Sequence, residues 1–305
     1  MDFGLLDAFS LPFMARALGT VAVLAVAAGI VGIGISFREL EFVSDGLVHA
    51  VFPGLVIGAA VGGTAGLLPG AVVAALAAAV LFTVLGAEDS GRDAAIAVVL
   101  TGLFSLGVVL VSRQQGYVSQ LQELLFGRLL TVTELQLWQI VAVSLIAVTL
   151  MALTLRAQLF RAFDPAGFEA AGFGPRRTDL ALISSIALLT VAGVQALGVL
   201  MVVALLTVPM AVSRLVSRRF SLLIPIAILV PLLAGSLGLW LAFDWSVGTG
   251  ATVSAGAVVV LVLLAIYGIA VLGGGAARAV RGVRGRLGRP GGIGRRGPST
   301  ARRAG

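Results

Sequence analysis

The chain contains no cysteine, no lysine and a single histidine among its 305 residues. Without cysteine, disulfides, iron–sulfur clusters and thiolate zinc sites are excluded, so any metal must be bound by oxygen or imidazole. Without lysine, the chain has no Walker A loop, whose lysine contacts nucleotide phosphates, and no Schiff-base chemistry. One histidine is also too few for an intramembrane zinc protease. The sequence therefore predicts no enzyme, and if ATP drives this protein, a separate chain must bind it.

Charged residues are scarce as well. They make up 11% of the chain, whereas hydrophobic residues make up 59% and the mean hydropathy is +1.10. Soluble domains average about 25% charged residues, so this composition predicts an all-α, polytopic membrane protein. Forty glycines fit that class, because small residues let transmembrane helices approach closely.

The apolar segments predict a single membrane domain over about residues 14–272. The block Asp179–Val212 is too long for one ordinary span, and GVQALG at Gly193–Gly198 predicts a break into two short helices or a helix and a re-entrant piece. With this block the count is eight or nine spans. The other predicted spans lie at about 14–36, 43–62, 67–86, 92–112, 134–155, 220–242 and 248–272.

The arginines predict the orientation in the membrane. The loops Arg156–Arg177 and Arg214–Arg219 are basic, and the end of the chain, Arg278–Gly305, has nine arginines and no acid. Basic segments stay in the cytoplasm, so residues 1–13 are predicted to form a short extracytoplasmic N-terminus. Residues 273–305 are predicted to form a disordered Arg/Gly-rich cytoplasmic tail, for which anionic lipid is a better partner than nucleic acid. The chain is thus expected in the plasma membrane as a multi-pass protein.

The stretch FVSDGLVHAVFPGLVIGAAVGG, Phe42–Gly63, combines an apolar span with polar groups. Asp45 and His49 lie four residues apart, so a helix presents them on one face. Pro53 follows on that face and cannot donate a hydrogen bond to the carbonyl of His49, which leaves that oxygen available. A carboxylate, an imidazole and a carbonyl suit a divalent transition metal. The alternative is that Asp45 caps the helix and His49 binds a neighbouring backbone group.

A cytoplasmic loop carries the second group of candidate residues, FDPAGFEAAGFGPRR at Phe163–Arg177. Asp164 followed by Pro165 is a typical helix start, and Gly172 and Gly174 end the helix after about two turns. A short capped helix between two spans, at about 163–173, suits insertion into a cleft on an ATPase subunit. Such helices are also common as simple connectors.

Pro209 lies deep in the apolar segment Leu197–Leu215. A proline there frees the carbonyl of Leu205 and bends the helix, which suits a pore lining or a hinge, although a purely structural kink explains it equally well. Asp179, Arg16 and Asp244 lie at the ends of spans, where exposure is the simpler interpretation.

Taken together, these segments resemble the permease subunits of bacterial ATP-binding-cassette importers for zinc, manganese and iron, the ABC-3 family. SDGLVHAVFPGLVIG at Ser44–Gly58 is similar to the family pattern GDALSHAxLPGxxxG, except that Ser44 and Gly46 replace the usual glycine and alanine. Three further stretches, LLFGRLLTV at 124–132, FDPAGFEAAG at 163–172 and GVLMVVALLTVPMA at 198–211, resemble later family motifs in the same order. Phe168 stands where the family commonly has a small residue.

The resemblance implies a homodimeric permease that works with two cytoplasmic ATPase subunits and an extracytoplasmic metal-binding protein. It implies that Asp45 and His49 bind the transported zinc, manganese or iron ion, that no cofactor is bound permanently, and that Pro53 and Pro209 shape the pore. It assigns contact with the ATPase to Phe163, Asp164, Pro165, Glu169, Ala170 and Gly172. Two alternatives stay open: a permease for a chelate such as a siderophore or cobalamin, and an ion-coupled secondary transporter.

Overall fold

The computed structural model describes residues 8–86, 92–112, 122–123, 125–250 and 253–287, and the account below concerns these residues only. Their secondary structure is helical, as predicted. The long helices are α1 (Pro12–Phe37), α2 (Glu41–Leu85), α3 (Arg92–Ser112), α4 (Glu134–Phe163), α6 (Pro175–Val216), α7 (Phe220–Thr249) and α8 (Ala255–Leu287), and α5 (Pro165–Ala170) is short. Leu129–Thr131 forms a 3-10 turn.

Two of these helices, α2 with 45 residues and α6 with 42, are too long for one crossing of a bilayer about 30 Å thick. Each is broken at a glycine with positive φ, Gly63 (φ 59°) and Gly198 (φ 77°). A backbone of this kind is open to glycine and strained for other residues. The break at Gly198 confirms the predicted interruption in Gly193–Gly198.

Both broken helices double back on themselves. In α2, a methyl group on Gly58 would collide with the backbone of Gly66, so the two arms run side by side at closest approach. In α6, a methyl group on Gly193 would lie 2.6 Å from the side chain of Val202. Seven helices are long and apolar enough to span a membrane, and two of them are hairpins, so the described chain makes nine passes. This agrees with the predicted eight or nine.

The hairpin turns and the charged loops lie at opposite ends of the bundle. At the turn end, Gly127 packs against Gly198, and Arg16 donates a hydrogen bond to the carbonyl of Val132. At the other end lie the arginine-rich loops and α5. Since basic loops mark the cytoplasmic side, the turn end remains predicted to be extracytoplasmic. The contact of Arg16 corrects the prediction of simple exposure.

The end of α8 differs from the sequence prediction. The helix continues to Leu287, beyond residue 272 where the disordered tail was predicted to begin. The segment AARAVRGVRGRL is rich in alanine and arginine, which favour helix, so the backbone continues past the membrane-spanning part. The predicted tail residues 288–305, and residues 1–7 of the predicted N-terminus, lie outside the described residues.

Candidate functional site

Asp45 and His49 lie on one face of α2, in its second and third turns. The imidazole Nδ1 is 3.0 Å from the backbone oxygen of Asp45 and 3.6 Å from its carboxylate Oδ1. The hydroxyl of Ser44 donates to the carbonyl of Glu41 over 2.7 Å and so turns back into the first turn of the helix. The structure therefore places the two predicted metal ligands side by side.

The backbone contact decides which nitrogen of His49 is available. A carbonyl oxygen can only accept a hydrogen bond, so Nδ1 must carry the hydrogen that is donated to Asp45. In a neutral imidazole the other nitrogen, Nε2, then has a free lone pair. Metal-binding histidines commonly use this arrangement, in which one ring nitrogen donates to a carbonyl and the other binds the ion. The alternative in which His49 binds a backbone group is thus compatible with a ligand role.

The imidazole is surrounded mainly by apolar side chains from other helices. Its ring meets that of Phe104 edge to face at 5.4 Å between centroids, and Phe104 lies 5.9 Å from Phe52. A cavity of about 100 Å³ adjoins the ring. It is lined by His49, Phe52, Phe104, Val108, Leu125, Val194 and Val199. The residues that line this cavity were not predicted from the sequence, because a phenylalanine or valine in an apolar span does not indicate which residue it will contact.

The pair is only partly covered by its own chain. The exposed fraction is 36% for the side chain of Asp45 and 22% for that of His49. In the described residues, no group of three or more His, Asp or Glu side chains is placed to bind a metal ion. A single chain therefore offers two side-chain ligands in an open position.

The two prolines assigned to the pore or hinge are both buried inside helices. Pro53 lies one turn after His49 and lines an apolar groove together with Ala50 and Gly54. Pro209 lies in the second arm of α6, and the non-helical residue of that helix is Gly198 rather than a neighbour of Pro209. The role of both prolines in the pore stays a prediction.

The loop helix α5 forms as expected. Its backbone begins with Pro165 at the first position, and the carboxylate of Asp164 accepts a hydrogen bond of 2.8 Å from the amide of Gly167. Ala171 follows the last turn, and Gly172 has a φ of 80°, the left-handed conformation in which helices commonly end. Helix α5 has six residues, slightly shorter than the predicted two turns.

All six residues predicted to contact an ATPase are exposed: Phe163, Asp164, Pro165, Glu169, Ala170 and Gly172. Phe168, the departure from the family motif, is fully buried. Its ring stacks on Phe173 at 5.0 Å and meets Phe160 edge to face at 5.5 Å. The larger side chain thus anchors α5 to the membrane domain and leaves the polar surface of the loop outside.

Asp179 corrects a sequence prediction, because it is a paired residue and not a simply exposed one. Its two carboxylate oxygens accept hydrogen bonds of 2.7 Å from Arg38 and from Arg161. Arg38 also donates to Gln158, which is buried and donates to the carbonyl of Thr178 over 2.6 Å. These residues are 18 to 141 positions apart, and no local motif announces their meeting.

The chain matches the ABC 3 transport family over residues 10–272. It belongs to that family. It is 28% identical over 244 residues to the manganese transport system membrane protein MntC of Halalkalibacterium halodurans, which covers 80% of this chain and 83% of that one. It is also 28% identical to the chelated iron transport system membrane protein YfeD of Yersinia pestis, over 80% of this chain and 82% of that one.

A solved structure, PsaBC from Streptococcus pneumoniae in complex with Fab, has the same fold. Its TM-score is 0.75 at 25% identity, covering 87% of this chain and 94% of that one. These findings confirm an all-α, multi-pass permease subunit of the plasma membrane that belongs to a metal transport family. They also confirm that the chain is a permease and not an enzyme.

Proposed function

We propose that this chain is the transmembrane subunit of an ATP-driven importer of divalent transition-metal ions and that two copies form the pore. The observation that carries the proposal is the Asp45–His49 pair, in which Nδ1 of His49 is held by a backbone carbonyl and the residue lines a small cavity. An ionisable group in a membrane span is costly and persists where it serves a partner or an ion. Among the described residues no arginine pairs with Asp45, which forms an ion pair with His49 alone, at 3.6 Å.

The exposure of Asp45 supports a dimer. A carboxylate left 36% exposed in an apolar span would face lipid unless another molecule covers it. In a two-fold dimer with these helices at the axis, each residue appears twice, which gives two carboxylates and two imidazoles for one ion. This meets the four or more donors that such metals require, which one chain does not supply from its described residues.

Manganese is the first cargo to test, because the similar MntC is named for manganese transport. Iron and zinc are bound by the same donor types and serve as competing ions in the assay. A chelate is the second candidate, favoured by the similarity to YfeD, which is named for chelated iron. The cavity beside His49, about 100 Å³, has room for a bare ion, whereas the groove lined by Pro53 and Gly54, about 610 Å³, has room for a chelate, so the uptake assay includes both forms of the metal. Pockets for organic ligands measure about 300 to 1,000 Å³.

The partners follow from the loop and from the absence of lysine. The chain has no phosphate-binding lysine, so ATP-binding subunits are separate proteins. They would dock on the exposed side of α5, and an extracytoplasmic metal-binding protein would deliver the ion at the end with the hairpin turns. The remaining alternative, an ion-coupled secondary transporter, would take up metal without ATP. Uptake by the purified chain alone in the absence of ATP would favour it.

The decisive experiment measures uptake of radioactive manganese into vesicles that contain the permease, its ATPase and its binding protein. We expect Asp45→Asn and His49→Gln each to reduce uptake to background, because each variant removes a ligand in both copies, while the dimer remains intact by size-exclusion chromatography. Asp244→Asn is the matched control, since it neutralises an exposed carboxylate on α7. Wild-type uptake rates in the double variant Asp45→Asn/His49→Gln would overturn the assignment.

A second experiment tests docking at α5. Asp164→Ala removes the helix cap, at a cost of about 1 kcal/mol, and Gly172→Trp places a bulky residue where φ is 80°. We expect both variants to enter the membrane normally and to retain less ATPase in a pull-down. Gly248→Trp is the control, because a side chain at Gly248 meets nothing within 4 Å and the residue lies at the far end of α7. Unchanged ATPase capture by both variants would remove the docking role of the loop.

A further inference from the structure

The carboxylate of Asp179 binds two arginines, one next to the loop proposed to dock the ATPase and one next to the helix proposed to bind the metal. Arg161 lies two residues before the loop that contains α5, and Arg38 lies three residues before the start of the site helix α2. Both arginines donate to Asp179 over 2.7 Å, one to each carboxylate oxygen. Asp179 is itself the fifth residue of α6 and thus lies just after the same loop.

The Arg38 side of this cluster is stiffly connected to the candidate metal site. Three residues link α1 to α2, and the amide of Leu40 donates to the carbonyl of Ile35 over 2.9 Å. Glu39 has a φ of 53°, in the left-handed region. Together these features form a closed helix-ending turn with little freedom. A displacement of Arg38 is therefore passed on to the first turn of α2, which precedes Asp45 by one turn.

The Arg161 side is connected to α5 through an aromatic contact. The guanidinium carbon of Arg161 lies 6.0 Å from the centre of the Phe168 ring. Phe168 is the buried anchor of α5, so a shift of α5 moves the ring against Arg161. Gln158, one turn earlier in α4, holds Arg38 and the carbonyl of Thr178 at the same time. The cluster is therefore a continuous polar link from α5 to α2.

The cluster contains one arginine more than is needed to neutralise Asp179. One arginine neutralises one carboxylate, so the pair Arg161–Asp179 alone would satisfy the charge of Asp179. The second arginine, Arg38, adds a positive charge in a poorly solvated position: its side chain is 12% exposed. That arginine is the one on the turn that leads to the metal-site helix.

We infer that Asp179 is a positioning residue that couples the ATPase-docking helix to the metal site, by holding Arg161 and Arg38 together. This inference rests on the proposed function. When ATP binding moves α5, the cluster moves Arg38 and with it the cytoplasmic end of α2. Without the link, the ATPase would still dock and hydrolyse ATP, but fewer ions would be transported for each ATP hydrolysed.

The first test uses the complete complex in vesicles and the variant Arg38→Gln, which leaves the neutral pair Arg161–Asp179 in place and so avoids an uncompensated charge. We expect normal assembly, ATP hydrolysis close to wild type, and a fall of about tenfold in manganese ions moved per ATP. Arg38→Lys should restore much of the ratio, because lysine can still pair with Asp179. Asp244→Asn, which neutralises an exposed acid elsewhere, should leave it unchanged.

The outcomes separate the two proposals. If the wild-type complex moves no manganese, iron or zinc, the proposed function fails, and the inference fails with it. If the wild-type complex transports and Arg38→Gln keeps the wild-type ratio of ions to ATP, the inference alone is overturned. If Arg38→Gln lowers ATP hydrolysis and metal transport by the same factor, the ratio of ions to ATP is unchanged. That result would also overturn the inference, because it indicates a loss of docking or fold.

A second test does not depend on the folding of Arg38→Gln. Since the chain has no cysteine, Phe42→Cys, at an exposed position in the first turn of α2, gives one labelling site per copy. In the wild-type complex a spin label there should change its spectrum when a non-hydrolysable ATP analogue binds. With Asp179→Asn, the change should be lost. No spectral change in the wild-type complex would overturn the inference.

Discussion

The two helical hairpins, α2 and α6, have the same backbone geometry but differ in how deeply they are buried. Both α2 and α6 start at the end of the bundle that holds the arginine-rich loops, turn at a glycine with positive φ, and return. Each carries an aspartate at its fifth residue, Asp45 and Asp179. In α6, 26 of the 42 residues are buried, against 18 of the 45 residues in α2, and 13 of those 18 precede Gly63. The α6 hairpin is therefore the scaffold of the chain, and the second arm of the α2 hairpin is the part left available to another molecule.

The two aspartates show what this difference means for function. Asp179 accepts hydrogen bonds from two arginines of its own chain, so its charge is neutralised within the fold. Among the residues that the structure describes, Asp45 forms an ion pair with His49 alone, at 3.6 Å, and it remains more exposed than Asp179, 36% against 23%. A carboxylate without a full set of partners in the chain is free to bind an ion, whereas a satisfied one organises the protein around it.

The largest expected loss of stability comes from the turn of the scaffold hairpin. Gly198→Ala adds a methyl group 2.6 Å from the carbonyl oxygen of Leu125 and forces alanine into a conformation that only glycine adopts readily. Overpacking and backbone strain together should cost about 4 kcal/mol. Thermal unfolding of the purified chain in detergent measures the effect. An unchanged melting temperature would contradict the view that α6 is the scaffold.

The next largest expected difference is between the stability losses caused by replacing the two aspartates, one in each hairpin. Asp179→Ala leaves Arg38 and Arg161 without their shared partner and should cost about 3 kcal/mol. Asp45→Ala should change stability by less than about 0.5 kcal/mol, because the residue is partly exposed and holds no other element in place. The same unfolding assay compares them. Equal losses in the two variants would show that Asp45 is a packing residue.

A smaller loss than those of Gly198→Ala and Asp179→Ala should come from the turn of the α2 hairpin. Gly63→Ala strains the backbone but meets no other atoms within 4 Å, so it should cost about 1 to 2 kcal/mol. Gly62→Ala, the adjacent glycine with equal space and no positive φ, should be neutral or stabilise the helix by about 0.5 kcal/mol. A loss at Gly63 as large as that at Gly198 would indicate hidden packing at this turn.

Features that depend on neighbours along the chain were predictable from sequence. The Asp164–Pro165 start of α5 and the ending at Gly172 follow from local helix-capping rules, and the structure contains both. The spacing of Asp45 and His49 places them on one helix face, since this requires only the helical repeat. The break in α6 was predicted within six residues of sequence, whereas the doubling back of α2 at Gly63 was predicted only as two adjacent spans.

What depends on distant partners appeared only in the tertiary structure. The sequence determined a helical membrane protein, two candidate metal ligands on one helix face and a capped loop helix, because hydropathy, periodicity and capping act within a few residues. The tertiary structure decided that the ring of His49 packs edge to face against Phe104, and that Asp179 joins Arg38 to Arg161. Those partners lie up to 141 residues apart, and packing of separate helices, which no local pattern encodes, brings them together.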